Sequence, residues 1–277
     1  MSRISRTRAA ELGRDTLRIL EAGHYRAVAG DVVELGDLLR RAVEGTRSYP
    51  PDEPIPAVQH GRVETRIEVV NESTLAAARR LIDEGCRPVA LNFASAKHPG
   101  GGFLSGARAQ EESLARSSGL YSCLAGSEMY EYHRAQGDPM YSSYAIYSPD
   151  VPVFRADDGS LLDRPYACSF ITAPAVNAKV VLERDPSRRP EIGVAMRERV
   201  DRVLAIAASH GHDAAVLGAW GCGVFGNDGE EVAGLFHRAL QEGFRGVFSR
   251  VIFAILDWSE DGHFIGPFRR AFGHPSS

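Results

Sequence analysis

The sequence predicts an α/β fold with three layers, helices packed on both faces of a central sheet. Two observations carry this. Short apolar runs that read as buried strands alternate repeatedly with longer segments whose apolar residues recur at helical spacing. Glycine-rich loops also follow two of the apolar runs and lead into helices. Composition agrees: 44% of the 277 residues are hydrophobic and 25% are charged. Neither a disordered chain nor a disulfide scaffold has that balance.

In chain order, residues 6–22 read as a helix, with Leu12, Thr16, Ile19 and Leu20 on one stripe and Gly23 as its stop signal. A second short helix covers 37–44. The stretch GTRSYPPDEPIP follows, and its four prolines predict an extended, irregular connector. It divides the chain into an N-terminal helical extension, residues 1–60, packed on a main domain, residues 61–277. Val63, Thr65, Ile67 and Val69 alternate as a strand does. Ser73 is placed to cap a helix running to Gly85, and 89–94 reads as a buried strand. A glycine loop then enters a helix near Ala107. Strands follow at 166–172, 214–217 and 248–256. Helices are marked by Ile192 to Ala207 and by Val232 to Leu240, and a short one closes the chain near Pro267. The segment 121–155 gives no clear pattern.

Charge and cysteine content narrow the function. With 32 basic and 36 acidic residues the net charge is −4. A direct nucleic-acid binder would show a basic surplus. An anionic ligand would instead be held locally, by backbone N–H groups and helix N-termini. Cys86, Cys123, Cys168 and Cys222 form no C-x-x-C pair and read as reduced thiols, so a cytoplasmic location is expected. The basic N-terminus lacks the apolar stretch of a signal peptide, and the longest charge-free apolar run, from Ala214, is too short for a membrane span. The nine histidines show no metal-binding spacing, and no metal or other cofactor is expected.

Two loops and one acid pair carry the chemistry. In the first loop, Gly100, Gly101 and Gly102 let the backbone approach a ligand with no Cβ in the way. The following helix carries Gln110, Glu111 and Glu112. Neighbouring helical residues point roughly 100° apart, so if one glutamate faces a cleft the other should lie to its side. Both would otherwise be exposed first-turn acids, or Glu112 would pair with Arg116. The second loop spells G-x-G-x-x-G with Gly221, Gly223 and Gly226, and Asp228 and Glu231 fit a capping box. That glycine pattern invites a nicotinamide-dependent dehydrogenase, with Asp257 the nearest ribose-binding acid. Trp220 and Phe225 would cover a sugar or base, or sit in the core. Cys222 suggests a nucleophile elbow, but Trp220 stands where that turn requires glycine.

The triple glycine followed seven residues later by Gln110-Glu111-Glu112 resembles the signature of poly(ADP-ribose) glycohydrolases. NFASAKHPGGG and QEESLARSSGLY are similar to the compact bacterial-type members. So are YSPDVPVFR (147–155), ITAPAVN (171–177), GAWGCGVFGND (218–228) and DGHFIGPFRRAF (261–272). The resemblance implies a macrodomain, a mixed sheet between helices. It implies hydrolysis of the ribose–ribose O-glycosidic bond, mainly at polymer ends, releasing ADP-ribose. Glu112 is implied as the general acid/base, which must enter the reaction carrying a proton. Glu111 is implied as the acid that holds the ribose hydroxyls. Gly100 to Gly102 and Ser95 lie beside the catalytic ribose, with Gln110 in the same substrate-binding set; some members have Asn in place of Ser95. Gly221, Cys222, Gly223, Val224 and Phe225 resemble the diphosphate loop, with Phe225 near the distal ribose. Asn71 and Glu72 sit where macrodomains contact adenine. Poly(ADP-ribose), ADP-ribose and ADP-ribosylated proteins are the implied partners. A non-catalytic ADP-ribose reader would use the same loops without turnover.

Overall fold

Local rules start most of the elements. The computed structural model describes residues 4–273. Ser5 caps helix α1 (Arg6–Ala22) by accepting the Arg8 N–H at 3.1 Å, and Gly23 ends it at φ 72°. A small antiparallel pair follows, β1 (His24–Arg26) and β2 (Val32–Glu34), then α2 (Gly36–Gly45) and β3 (Arg47–Tyr49). Strand β4 (Arg66–Val70) leads to α3 (Thr74–Asp83), where the Ser73 hydroxyl accepts the Ala76 N–H at 3.0 Å as expected. Next come β5 (Pro88–Phe93), a 3-10 turn at Phe103–Ser105, and α4 (Gln110–Ser117). The middle of the chain holds α5 (Leu120–Leu124), α6 (Glu128–Gln136), β6 (Ala145–Arg155) and β7 (Leu161–Ala173). The rest is α7 (Ala178–Arg184), α8 (Arg189–Ser209), β8 (Ala214–Leu217), α9 (Gly229–Gln241), β9 (Arg250–Ala254) and α10 (Gly266–Phe272). Asp228 caps α9 through the Glu230 and Glu231 N–H groups, at 2.8 and 3.1 Å.

The main sheet has seven strands in the order β3-β6-β7-β5-β8-β9-β4. Neighbours from β7 to β4 run parallel, and β6 is antiparallel to both β3 and β7, so the sheet is mixed. Alternation along the strands builds two cores. Val89, Leu91, Leu217 and Phe253 face a layer with Met196, Val200 and Phe236 of α8 and α9. Ala90, Val216 and Ile252 face the opposite layer, with Leu81, Leu114 and Leu120. A third cluster of Ile19, Tyr25, Leu35, Leu39 and Phe154 seats the N-terminal segment on the sheet's flank. This is the three-layer α/β/α arrangement, with an N-terminal extension, that the sequence predicts.

Several local expectations need correction. The proline-rich connector contains β3, which joins the main sheet, so the extension adds a strand as well as helices. The helix after the first glycine loop starts at Gln110 instead of Ala107, because the 3-10 turn and Gly106 at φ 84° intervene. The unpatterned segment 121–155 holds most of α5, all of α6 and β6. The pair β1–β2 and helix α7 carried no legible signal.

Candidate active site

The carboxyl ends of β5, β8 and β9 open into a cleft of about 660 Å³, lined by Ala94 and Ser95 at the start of the first loop and by the second loop. Gly100, Gly101 and Gly102, expected beside the ribose, do not line it; Gly101 and Gly102 instead pack behind it against the two glutamates. Ligands in open α/β sheets bind at this end of the strands. The first loop leaves β5 and holds Gly100 and Gly101 at φ 69° and 59°. A side chain at 101 would collide with Glu112 Oε1 and crowd Glu111 Oε2, so glycine is required there.

Both glutamates turn toward this loop. Glu111 is 3% exposed and Glu112 8%. Glu111 Oε2 accepts the Ser95 N–H at 2.7 Å, and Glu112 Oε1 accepts the Gly102 N–H at 2.9 Å. Each carboxylate thus spends one oxygen on a loop amide. The other oxygen, Oε1 of Glu111 and Oε2 of Glu112, is buried without a partner among the described residues. Burial pushes Glu111 up to about 8, and the charge of Glu112 adds to the rise; the hydrogen bond from the Ser95 backbone opposes it. At neutral pH Glu111 therefore keeps a proton. The expectation that one glutamate must lie aside is overturned. So is pairing with Arg116, whose Nη1 donates to Ala107 O at 2.6 Å and Nη2 to Ser113 Oγ at 3.3 Å.

Gln110 fixes the helix start. Its Oε1 accepts the Phe93 N–H at 2.9 Å, and its Nε2 donates to Leu91 O at 2.7 Å and Thr74 Oγ1 at 3.1 Å. The side chain lines the cleft but is engaged in tying α4 to β5. Ser95 also lines the cleft, and its hydroxyl accepts the N–H groups of Lys97 and His98 at 3.3 and 3.2 Å.

In the second loop, Gly221 and Gly226 take φ of 75° and 67°. Asn227, buried behind it, donates from Nδ2 to Val176 O at 2.7 Å and Gly221 O at 3.1 Å. Gly221, Gly223, Val224 and Phe225 line the cleft, and Gly223 and Val224 are exposed. Cys222 instead packs in the core, and burial pushes its thiol up to about 12. No thiolate nucleophile exists there at neutral pH. Trp220 is wholly buried and donates Nε1–H to Ala173 O at 3.2 Å, as a core residue does, whereas Phe225 is only partly buried.

At the far end, Glu72 lines the cleft while bonded to Arg80 Nη2 at 2.8 Å. The Asn71 amide brackets the Asp257 backbone, donating to its carbonyl at 2.8 Å and accepting its N–H at 3.1 Å. Asn71 therefore shapes the 254–259 loop and does not line the cleft. Asp257 accepts N–H groups from Ser259, Phe264 and Ile265, which hold its carboxyl low although burial pushes the other way. Those bonds occupy both oxygens that a dehydrogenase would need for ribose.

The protein-family comparison matches residues 13–156 to the catalytic domain of microbial-type poly(ADP-ribose) glycohydrolase (PARG). Solved structures agree over most of the chain. The poly(ADP-ribose) glycohydrolase of Thermomonospora curvata is 48% identical, covers 96% of this chain and 100% of its own, and superposes with a TM-score of 0.90. The chain belongs to the microbial-type PARG family. The same T. curvata enzyme bound to the inhibitor ADP-HPD is 47% identical over 96% of this chain and 100% of that one, with a TM-score of 0.88. The Deinococcus radiodurans PARG in complex with ADP-ribose is 43% identical, covering 87% of this chain and 99% of its own, with a TM-score of 0.82. No curated protein sequence matches.

Against the PARG fold, three cleft features escaped the sequence reading. Trp258, 56% exposed, lines the cleft with Glu72 and Phe264. Asn92 and Asn227 are buried polar supports of the first and second loops. A lone tryptophan in a loop has no periodicity to reveal it, and a buried Asn looks like any loop Asn.

Proposed function

We infer that Glu112 is the general acid/base of a glycoside hydrolase, with Glu111 as its partner against the ribose hydroxyls. As a member of its family, the chain hydrolyses poly(ADP-ribose) to ADP-ribose. The observation that supports the residue assignment is the paired carboxylates: each is anchored by one loop amide, and each keeps one unpartnered oxygen.

The chemistry follows from that pair. Glu112 gives a proton to the departing ribose oxygen as the bond to the anomeric carbon breaks. The carbon becomes oxocarbenium-like, as in glycoside cleavage generally. Glu112 then takes a proton from the attacking water, which closes the cycle. Acid/base help of this kind contributes typically about 10²–10⁴-fold. The anchoring amides of Ser95 and Gly102 fix the two carboxyl groups beforehand, and the second loop presents backbone N–H groups to the diphosphate. Glu72 and Trp258 offer a carboxylate and an aromatic face to the adenine end.

The resemblance to the compact members favours attack mainly at polymer ends. ADP-ribosylated proteins are the expected carriers of the substrate, and four free thiols suit the reducing cytoplasm. Chromatography of products from poly(ADP-ribose) tests the reading. ADP-ribose should dominate from the earliest time points. Long oligomers early in digestion would contradict attack at ends, and no product at all would leave an ADP-ribose reader.

A further inference from the structure

We propose that the cleft continues past the carboxylate pair into an acceptor-side subsite, where Arg108 binds a phosphate of the polymer unit that leaves. This rests on the hydrolase reading. On the hydrolase reading, Glu72, Trp258 and the second loop take one ADP-ribose unit. The same cleft is also lined by Ile4, Leu12, Arg108, Ser113 and Gly159, and we assign these to a second arm. Its far wall is closely built: a Cβ on Gly159 would stand 2.7 Å from Leu12 Cδ1.

Three arginines border this arm, and two are committed. Arg155 is buried and ion-paired with Asp15 at 2.8 Å. Arg116 is buried, and its guanidinium serves Ala107 O and Ser113 Oγ. Arg108 is exposed. Its Nη1 donates to Ile4 O at 2.8 Å, and it makes no ion pair among the described residues. The carbonyl orients the guanidinium and leaves its other N–H groups for an anion. Asp157, the acid in this arm, accepts the Ser73 hydroxyl at 2.6 Å.

The polymer supplies that anion. Breaking a ribose–ribose bond leaves an ADP-ribose unit on each side, and the nearest strong anion beyond the bond is the diphosphate of the departing unit. Arginine presents a planar fork suited to phosphate oxygens. Arg108 stands four residues before Glu112, just ahead of the same helix, and lines the same cleft.

The test compares two substrates: poly(ADP-ribose), and an ADP-ribosyl glycoside of a small uncharged phenol, which has no phosphate on its leaving side. Wild type should turn over both; failure on both would overturn the hydrolase reading and this proposal with it. With wild type active, Arg108→Ala should lower kcat/KM on polymer about tenfold, chiefly through KM, the size of one charge-assisted hydrogen bond. The phenyl glycoside should change by less than about twofold. Arg108→Lys should recover most of the loss, and added salt should narrow the gap between wild type and Arg108→Ala. Equal losses on both substrates would mark a structural role and overturn the proposal, as would unchanged polymer kinetics. Should Arg108→Ala fail to fold, Arg108→Gln serves in its place.

Discussion

Gly101 shows how narrowly the carboxylate pair is held. Its φ of 59° and the closeness of Glu112 Oε1 leave no room for a side chain. Gly101→Ala should push Glu112 off its anchoring amide and cost about 100-fold in kcat, the scale of a catalytic group displaced by an ångström. Steady-state kinetics with circular dichroism for folding would check it. Glu111 gives a prediction with a sign. An ordinary glutamate titrates near 4.5, whereas burial raises Glu111 to about 8. The native state therefore holds a proton that the unfolded chain releases between these values, and stability falls as pH rises across that window. Glu111→Gln should raise the melting temperature relative to wild type at pH 8 by clearly more than at pH 5. Sequence singled out these two residues but not how they point. Side chains in a helix's first turn lean back toward its N-terminus, so adjacent residues reach the same preceding loop.

At the scale of elements, the decisive contact is the Gln110 clamp between α4 and the end of β5. Gln110→Ala would strand the Phe93 N–H and the Leu91 carbonyl. It should destabilise the protein by about 2 kcal/mol or more, measured as a lower urea midpoint. The helices α1, α3 and α9 were legible because one apolar face and one capping side chain announce each of them, and α8, which has no side-chain cap, by its recurring apolar residues from Ile192 to Ala207. Strand β3 was not, since three residues cannot display an alternation. Strand β6 was hidden by its own irregularity: Pro149 and Pro152 break the pattern, Asp150 sits at φ 46°, and the pairing register shifts between Ser148 and Val151. The G-x-G-x-x-G loop was legible as a phosphate-type turn and misleading as a dinucleotide signature, because Asp257 is engaged in its own loop.

Across the molecule, the N-terminal segment is bound to the machinery it flanks. Thr16 Oγ1 donates to Arg116 O at 2.5 Å at the end of the catalytic helix, and Arg155 Nε reaches the same carbonyl at 3.2 Å while its ion pair with Asp15 ties α1 to β6. The layered fold was legible from alternation alone; this grip was not, since contacts between residues 100 positions apart leave no local trace. The account depends on the carboxyl at position 112 serving both halves of the reaction. Parallel assays of Glu112→Gln, polymer hydrolysis by product chromatography and ADP-ribose binding by calorimetry, test this most directly. The account predicts loss of hydrolysis by about 10³-fold or more, with binding within severalfold of wild type. Polymer cleavage near the wild-type rate would contradict it.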